Sequence, residues 1–190
     1  MEVRDTALPG VKLIIPQVFG DNRGWFCETY NKEKLAPFGL DMEFIQDNQS
    51  LSVPVGTLRG IHFQNDPFAQ SKLVRCVAGR VFDVAVDPRK GSPTYGQWVG
   101  AELSAENKHQ LFIPKGFGHA FMTLEENSQV CYKVDAPWSR PHERTVRFDD
   151  PEIAVAWPLD TEPVMSDKDK NAPTLQDCDC NFTAGEGAES

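Results

Sequence analysis

Short runs of apolar or alternating residues recur along the chain, separated by turns rich in Gly, Pro, Asn and Asp. Runs of this length and pattern predict β-strands. The predicted strands are residues 12–16, 24–30, 44–52, 58–64, 72–77, 81–87, 97–103, 110–113, 119–124, 129–134 and 145–148. Only residues 31–36, with Asn31 at the N-cap, and residues 104–108 predict helices. Many short strands with few helices favour an all-β sandwich or barrel.

The strand pattern continues without a linker or an internal repeat, which predicts a single domain over residues 1–175. The segment 176–190 has no periodicity and ends in Gly-Glu-Gly-Ala-Glu-Ser. Such a segment has little apolar surface to bury, so the sequence predicts a disordered acidic tail.

The overall charge narrows the classes of partner. The 190 residues carry a formal net charge of −9, which disfavours nucleic acid and anionic membrane surfaces as partners. A small anionic ligand remains compatible, because a few local cations override the global field. The odd number of five cysteines suits a reducing compartment. With no apolar N-terminal run and no membrane-spanning stretch, we expect a cytoplasmic protein.

The segment 56–64, Gly-Thr-Leu-Arg-Gly-Ile-His-Phe-Gln, holds the first candidate for chemistry. Strand alternation places His62 and Gln64 on one face and Ile61 and Phe63 on the other. A histidine on the polar face is either a general base or a hydrogen-bonded structural residue. The neighbouring Arg59 favours a functional role.

A second histidine, His119, follows Pro114-Lys115-Gly116-Phe117-Gly118. The spacing Pro-x-Gly-x-x-His is similar to the second cupin motif, whose histidine points into a jelly-roll barrel. Metal cupins commonly carry His-x-His in the first motif, and here that motif offers only His62. Two histidines are too few ligands for a mononuclear site, so we predict no metal and an acid–base pocket instead.

Other candidates are ambiguous when taken singly. Lys72 opens a strand and is either a solvated end or a cation facing an oxyanion. Arg23 lies in a turn, and Asp169 lies in a charged segment typical of a surface loop. Tyr132 could be a core residue, and Trp138 could be either a core anchor or an exposed stacking platform.

Taken together and in order, these motifs resemble the dTDP-4-dehydrorhamnose 3,5-epimerase family over about residues 10–175. The matching blocks are residues 19–26, 46–48, 58–64, 72–75, 81–87, 92–96, 103–107, 113–119, 132–133, 142–144 and 166–169. The resemblance implies a cupin-like antiparallel jelly-roll barrel with a few short helices. It also implies a homodimer, in which early strands such as residues 12–16 pair with a second subunit, and no cofactor.

The resemblance further implies residue roles. His62 is the expected general base, held by Asp169, and Tyr132 is the expected general acid on the opposite face of the sugar. Lys72 is expected beside the enolate oxygen. Trp138 takes the place of an aromatic residue that stacks on thymine. The residues expected to hold the dTDP-sugar are Arg23, Glu28, Gln46, Asp47, Asn48, Arg59, Lys72, His119, Trp138, Glu143 and Lys168.

The implied reaction converts dTDP-4-keto-6-deoxy-D-glucose to dTDP-4-keto-L-rhamnose in dTDP-L-rhamnose biosynthesis. The keto group at C4 acidifies the protons at C3 and C5, so an acid and a base can invert both centres without redox chemistry. The alternatives are a 3-epimerase or ketoisomerase for a related dTDP-4-keto-6-deoxysugar, a non-catalytic cupin that binds nucleotide sugars, and a metal dioxygenase. The presence of both His62 and Tyr132 favours 3,5-epimerisation.

Overall fold

The computed structural model describes residues 1–183, which form mostly antiparallel strands. The strands are β1 (Glu2–Asp5), β2 (Lys12–Ile15), β3 (Val18–Asp21), β4 (Gly24–Cys27), β5 (Gln46–Ser52), β6 (Leu58–Gln64), β7 (Lys72–Ala78), β8 (Arg80–Val86), β9 (Trp98–Ser104), β10 (Gln110–Ile113), β11 (Gly118–Thr123), β12 (Ser128–Val134) and β13 (Glu143–Thr145). The helices are α1 (Lys32–Leu35), α2 (Asp167–Lys170) and the 3₁₀ helices Ala36–Phe38 and Arg140–His142.

Two sheets face each other as a jelly roll. One has six strands in the order β1-β2-β10-β7-β12-β5, and the other has five in the order β13-β6-β11-β8-β9. The pairs within both sheets are antiparallel. The hairpin of β3 and β4 stands apart from both. The predicted all-β, cupin-like architecture is therefore confirmed.

Other residues cover both faces of each sheet. This explains why the sequences of several strands are continuous apolar runs. Val74 and Val130 of one sheet pack between the sheets against Val81 and Phe121 of the other. The outer face of the six-stranded sheet is covered by Leu35 and neighbouring residues. The outer face of the five-stranded sheet is covered by the chain after residue 145, through a cluster of Val146, Ile153, Leu175, Cys178, Cys180 and Phe182.

Strand β6 has the predicted limits and the predicted alternation. Ile61 and Phe63 belong to the outer cluster, whereas His62 lines an internal cavity. Gly60 lies against β11, where an added Cβ would come within 2.6 Å of the His119 carbonyl oxygen. Since its φ of +126° also disfavours other residues, glycine is required for β6 to pack this closely beside His119.

The local predictions were right where alternation or capping set the element. Helix α1 begins after Asn31, whose side chain accepts a hydrogen bond from the backbone of Lys34 at 3.2 Å. The helix predicted at 104–108 was wrong, because the Asn107 side chain closes a turn by accepting from the backbone of Ser104 at 3.0 Å. Strands β1 and β3 and helix α2 were not predicted, and β13 ends at Thr145 rather than beginning there.

Two further expectations need correction. Strand β2, expected to pair with a second subunit, is flanked on both sides by β1 and β10 of the same chain, so neither of its edges is open. The globular packing also continues past residue 175, because Cys178, Cys180 and Phe182 are buried. Part of the predicted tail is thus core, and residues 184–190 lie outside the described residues.

The five cysteines are all free thiols in the structure. Within residues 1–183, no helix has the length and apolar character needed to cross a membrane.

Candidate active site

A cavity of about 450 Å³ opens between the two sheets. The five-stranded sheet contributes Arg59, His62 and His119 to its wall, and the six-stranded sheet contributes Lys72 and Tyr132. Residues far apart in the chain therefore meet here, with candidate acid and base on opposite walls.

His62 and Asp169 form a hydrogen-bonded pair at one side of this cavity. Nε2 of His62 lies 2.6 Å from Oδ1 of Asp169, and the two side chains are 30% and 4% exposed. Burial acts to raise the pKa of Asp169, but the hydrogen bond and charge of His62 outweigh it and bring that pKa below its usual value. The carboxylate thus stays ionised, and Nδ1 is the ring nitrogen left to take a proton.

The segment that includes Val164 packs against β6 and places Asp169 beside His62. Val164 exchanges backbone hydrogen bonds of 2.9 Å with Gly56 and Leu58 at the start of β6. Ser166 then caps α2 by accepting from the backbone of Asp169 at 3.2 Å. This contact between distant parts of the chain fixes the carboxylate behind His62.

His119 forms a second histidine–carboxylate pair beside the first. Its Nε2 lies 2.9 Å from Oδ2 of Asp83, and both residues are buried. Burial lowers the pKa of His119 despite the opposing effect of Asp83. The ring is therefore neutral near pH 7, so Nε2–H donates to Asp83.

Lys72 is the buried cation of the site. Its Nζ donates to the backbone carbonyl of His62 at 3.4 Å. Burial lowers the pKa of Lys72 to about 8, against the attraction of Asp83 and Glu143. An ammonium group that is almost fully buried and lines the cavity is well suited to stabilising an oxyanion.

The rings of Tyr132 and His119 meet in an edge-to-face arrangement, with 6.4 Å between the ring centroids. Burial raises the pKa of Tyr132, although Arg59 acts in the opposite direction. The phenol therefore holds its proton at neutral pH and can act as an acid.

A second cavity of about 310 Å³ shares His62, Lys72 and Tyr132 with the first. Gln46, Asn48, Trp138 and Glu143 also line it. Trp138 is 58% exposed, and its segment is anchored because the backbone N–H of Ser139 donates to Gln64 at 2.6 Å. Lys168 and Glu143 form an ion pair of 2.8 Å.

Three predicted binding residues lie outside both cavities. Arg23 pairs with Asp21 at 2.6 Å on the β3–β4 hairpin, and Glu28 pairs with Lys34 at 2.8 Å. Asp47 pairs with Lys133 at 2.9 Å, and its side chain is 71% exposed. Within one described chain, Arg23 and Glu28 do not join the other candidate residues, whereas Asp47 lines a small pocket together with Tyr132.

Sequence reasoning missed Asp83, which is fully buried beside His119. The signal was present: a single carboxylate interrupts the apolar run Val-Phe-Asp-Val-Ala-Val of residues 81–86. Val81 and Ala85 share its inward face by strand alternation, so an acid at this position has to face the barrel interior.

The residues present do not assemble a metal site. Residues 1–183 contain no group of three or more His, Cys, Asp or Glu side chains placed to hold a metal ion. His62 and His119 each bind a different carboxylate instead.

A jelly roll with a proton acceptor, a phenol and a buried ammonium ion around one cavity has the groups of an acid–base isomerase. Residues 5–177 match the family model described as dTDP-4-dehydrorhamnose 3,5-epimerase. An enzyme of that name from Sinorhizobium fredii is 50% identical over 96% of this chain and 93% of its own length. The chain belongs to the dTDP-4-dehydrorhamnose 3,5-epimerase family, whose members are isomerases.

Solved structures agree with this assignment. The Bacillus anthracis enzyme, with TDP and PPi bound, has a TM-score of 0.88 and 47% identity, covering 91% of this chain and 98% of its own. The Legionella pneumophila enzyme, in complex with dTDP-4-keto-L-rhamnose, has a TM-score of 0.88 and 42% identity, covering 92% and 93%.

Proposed function

We propose that this protein epimerises dTDP-4-keto-6-deoxy-D-glucose at C3 and C5 to dTDP-4-keto-L-rhamnose, in dTDP-L-rhamnose biosynthesis in the cytoplasm. The observation that carries the proposal is the placement of His62 and Tyr132 on opposite walls of one cavity, with Lys72 also in the wall. Inversion of a carbon centre requires proton removal and return on opposite faces, which this arrangement can provide.

In the first step, Nδ1 of His62 takes the proton from C3 or C5. The electron pair of the C–H bond moves to form the enolate, whose charge rests on the C4 oxygen. Lys72 stabilises this oxyanion, and Asp169 stabilises the imidazolium that forms.

In the second step, the Tyr132 hydroxyl donates a proton to the same carbon from the other face. The enolate electrons return to that carbon, and the C4 carbonyl re-forms. Exchange with solvent then reprotonates Tyr132 and deprotonates His62. Burial raises the pKa of Tyr132, so its hydroxyl is protonated before each turnover.

The nucleotide part of the substrate needs cations and an aromatic face. Arg59 and Lys168 line the first cavity and are placed to meet phosphate oxygens. Trp138 lines the second cavity with Gln46 and Asn48, and its exposed indole would stack on the base. The substrate would therefore extend from His62 toward Trp138.

We also propose a homodimer, because the predicted binding residues Arg23 and Glu28 lie away from the cavity of their own chain. The β3–β4 hairpin exposes Phe19, Trp25 and Phe26, each more than half exposed. An apolar projection of this kind is typical of a contact surface. Light scattering at micromolar concentration should give twice the mass of the chain, and a monomer would contradict the dimer.

The test of the activity is incubation with dTDP-4-keto-6-deoxyglucose in deuterated water. We expect deuterium at both C3 and C5, together with a product accepted by a reductase specific for the epimerised sugar. Label at C3 alone would indicate a 3-epimerase. Binding without exchange would indicate a non-catalytic nucleotide-sugar-binding protein.

A further inference from the structure

Asp83 is a carboxylate enclosed in the apolar interior of the barrel. It is 0% exposed and lies on β8 between the inward residues Val81 and Ala85, which belong to the cluster between the sheets. Phe121 of the same cluster is its register partner on β11. Because it is sealed from solvent, Asp83 cannot contact a substrate directly.

Only one oxygen of this carboxylate has a hydrogen-bond partner among residues 1–183. Oδ2 accepts from Nε2 of His119 at 2.9 Å, whereas Oδ1 is buried without one. A buried carboxylate left partly unsatisfied opposes folding. The groups around Asp83 indicate which function offsets this cost.

Lys72 lies on β7 of the opposite sheet and faces the same interior as Asp83. Alternation along β7 puts Lys72 on the same inward face as Val74 and Cys76, and both of those residues pack in the cluster with Val81 and Ala85. Among the charges acting on Lys72, Asp83 is the strongest attraction.

The other polar groups near Lys72 come from several elements. Glu143 of β13 also favours its charge, and Lys168 of α2 opposes it. The backbone carbonyl of His62 on β6 accepts its hydrogen bond. His119 of β11 interacts with it electrostatically. Tyr132 of β12 lines the same cavity.

The hydrogen bond from His119 leaves the electrostatic attraction between Asp83 and Lys72 in place. Since burial lowers the pKa of His119, the ring is neutral near pH 7 and donates only a hydrogen bond. The attraction that Asp83 exerts on Lys72 is therefore not offset by a charge on His119.

Resting on the proposed function, we propose that Asp83 is a positioning residue that keeps Lys72 in its ammonium form and holds His119 with Nδ1 free for the substrate. The enolate formed by proton removal needs the charged form of Lys72. Asp83 thus acts on the reaction through Lys72, from a place that the substrate does not reach.

The test compares the pH dependence of kcat/KM for the wild-type enzyme and Asp83→Asn. Protonated Lys72 is the active form, so wild-type kcat/KM should fall as pH rises through about 8. Without the carboxylate the pKa of Lys72 drops further and the fall moves to lower pH. A displacement of about one pH unit would give about a fivefold loss at pH 8, approaching tenfold at higher pH, with recovery toward wild-type activity near pH 6.

Asp87→Asn is the matched control. Asp87 is also 0% exposed but accepts hydrogen bonds from Arg89, Ser92 and Thr94 and lines neither cavity. We expect a lower Tm for this variant and an unmoved pH profile. If Asp83→Asn does not fold, Asp83→Ser, whose hydroxyl can still accept from His119, is used for the same comparison.

A second background separates an effect on Lys72 from a general structural effect. The guanidinium group introduced by Lys72→Arg stays protonated over the whole pH range. Adding Asp83→Asn to the Lys72→Arg variant should therefore leave its pH profile unmoved. The quantity measured for these slow variants is the rate of deuterium exchange. A pH-independent loss from Asp83→Asn in the wild-type background would overturn the proposal. Lack of epimerisation by the wild-type protein would instead overturn the proposed function.

Discussion

The two histidine–carboxylate pairs of the barrel use the same residue types in different surroundings. His62 and His119 are register partners on β6 and β11. The His62 side chain is 30% exposed and its carboxylate comes from a helix 107 residues later. The His119 side chain is 7% exposed and its carboxylate is fully buried on the adjacent strand β8.

The two pairs differ in solvent access, and we therefore expect them to have different roles in proton transfer. His62 is the expected base, because its side chain lines the cavity and is 30% exposed. His119 lines the same cavity, but its side chain is nearly buried and burial lowers its pKa. The contribution expected of this pair is to orient a hydrogen-bonding group and to act on Lys72, rather than to transfer a proton.

The largest expected effect separates the two histidines. His62→Ala removes the base and should lower both turnover and deuterium exchange by about 10²–10⁴-fold or more. His119→Ala removes a hydrogen-bonding group and the partner of Asp83 but not the base, so it should retain measurable exchange at C3 and C5. Mass spectrometry of substrate recovered from deuterated water measures both, and equal losses would contradict the division of roles.

The next effect tests the carboxylate of the open pair. Asp169→Asn keeps a hydrogen bond but removes the charge that stabilises the imidazolium, so kcat should fall about 10²-fold with little change in Tm. Asp167→Asn alters an exposed carboxylate of the same helix and serves as the control. A similar fall in both variants would mean that helix α2, rather than its buried charge, matters.

A smaller and more selective effect is expected at the acid. Tyr132→Phe keeps the ring packing and removes only the hydroxyl, so His62 can still form the enolate and return a proton from its own side. Deuterium washout should persist while inversion, especially at C5, falls about 10²-fold. Parallel losses of exchange and inversion would show that Tyr132 positions the substrate instead.

Binding of the nucleotide should be affected without loss of the proton chemistry. Trp138→Ala should raise KM by the factor that corresponds to about 1–3 kcal/mol of lost stacking, with kcat and Tm nearly unchanged. Phe38→Ala removes an exposed aromatic residue that lines neither cavity at the site and should leave KM unchanged. Equal KM values for wild type and Trp138→Ala would exclude stacking.

No effect is expected from metal removal. His62 and His119 are each engaged by a carboxylate, so neither pair requires an ion to complete it. Steady-state turnover should survive dialysis against EDTA. Loss of turnover that one divalent ion restores would contradict the acid–base mechanism for both pairs.

The sequence by itself determined much of the fold and predicted a set of residues that the structure brings around one cavity. Alternation is a local property, so it identified β6 and the inward face of His62 correctly. The ordered family motifs also identified the two histidines, Lys72, Tyr132 and Asp169. Spacing could not identify Asp169 alone, because Ser-Asp-Lys-Asp-Lys is typical of an exposed loop.

Only the tertiary structure decided which groups act on one another. Asp169 faces His62 because the segment at Val164 docks on β6, and that contact joins distant parts of the chain. The structure likewise showed that Asp83 is buried beside His119 and opposite Lys72, and that the packed core extends beyond residue 175 to Phe182. Burial and partner charges set the protonation of these groups, and both arise from contacts that no local pattern encodes.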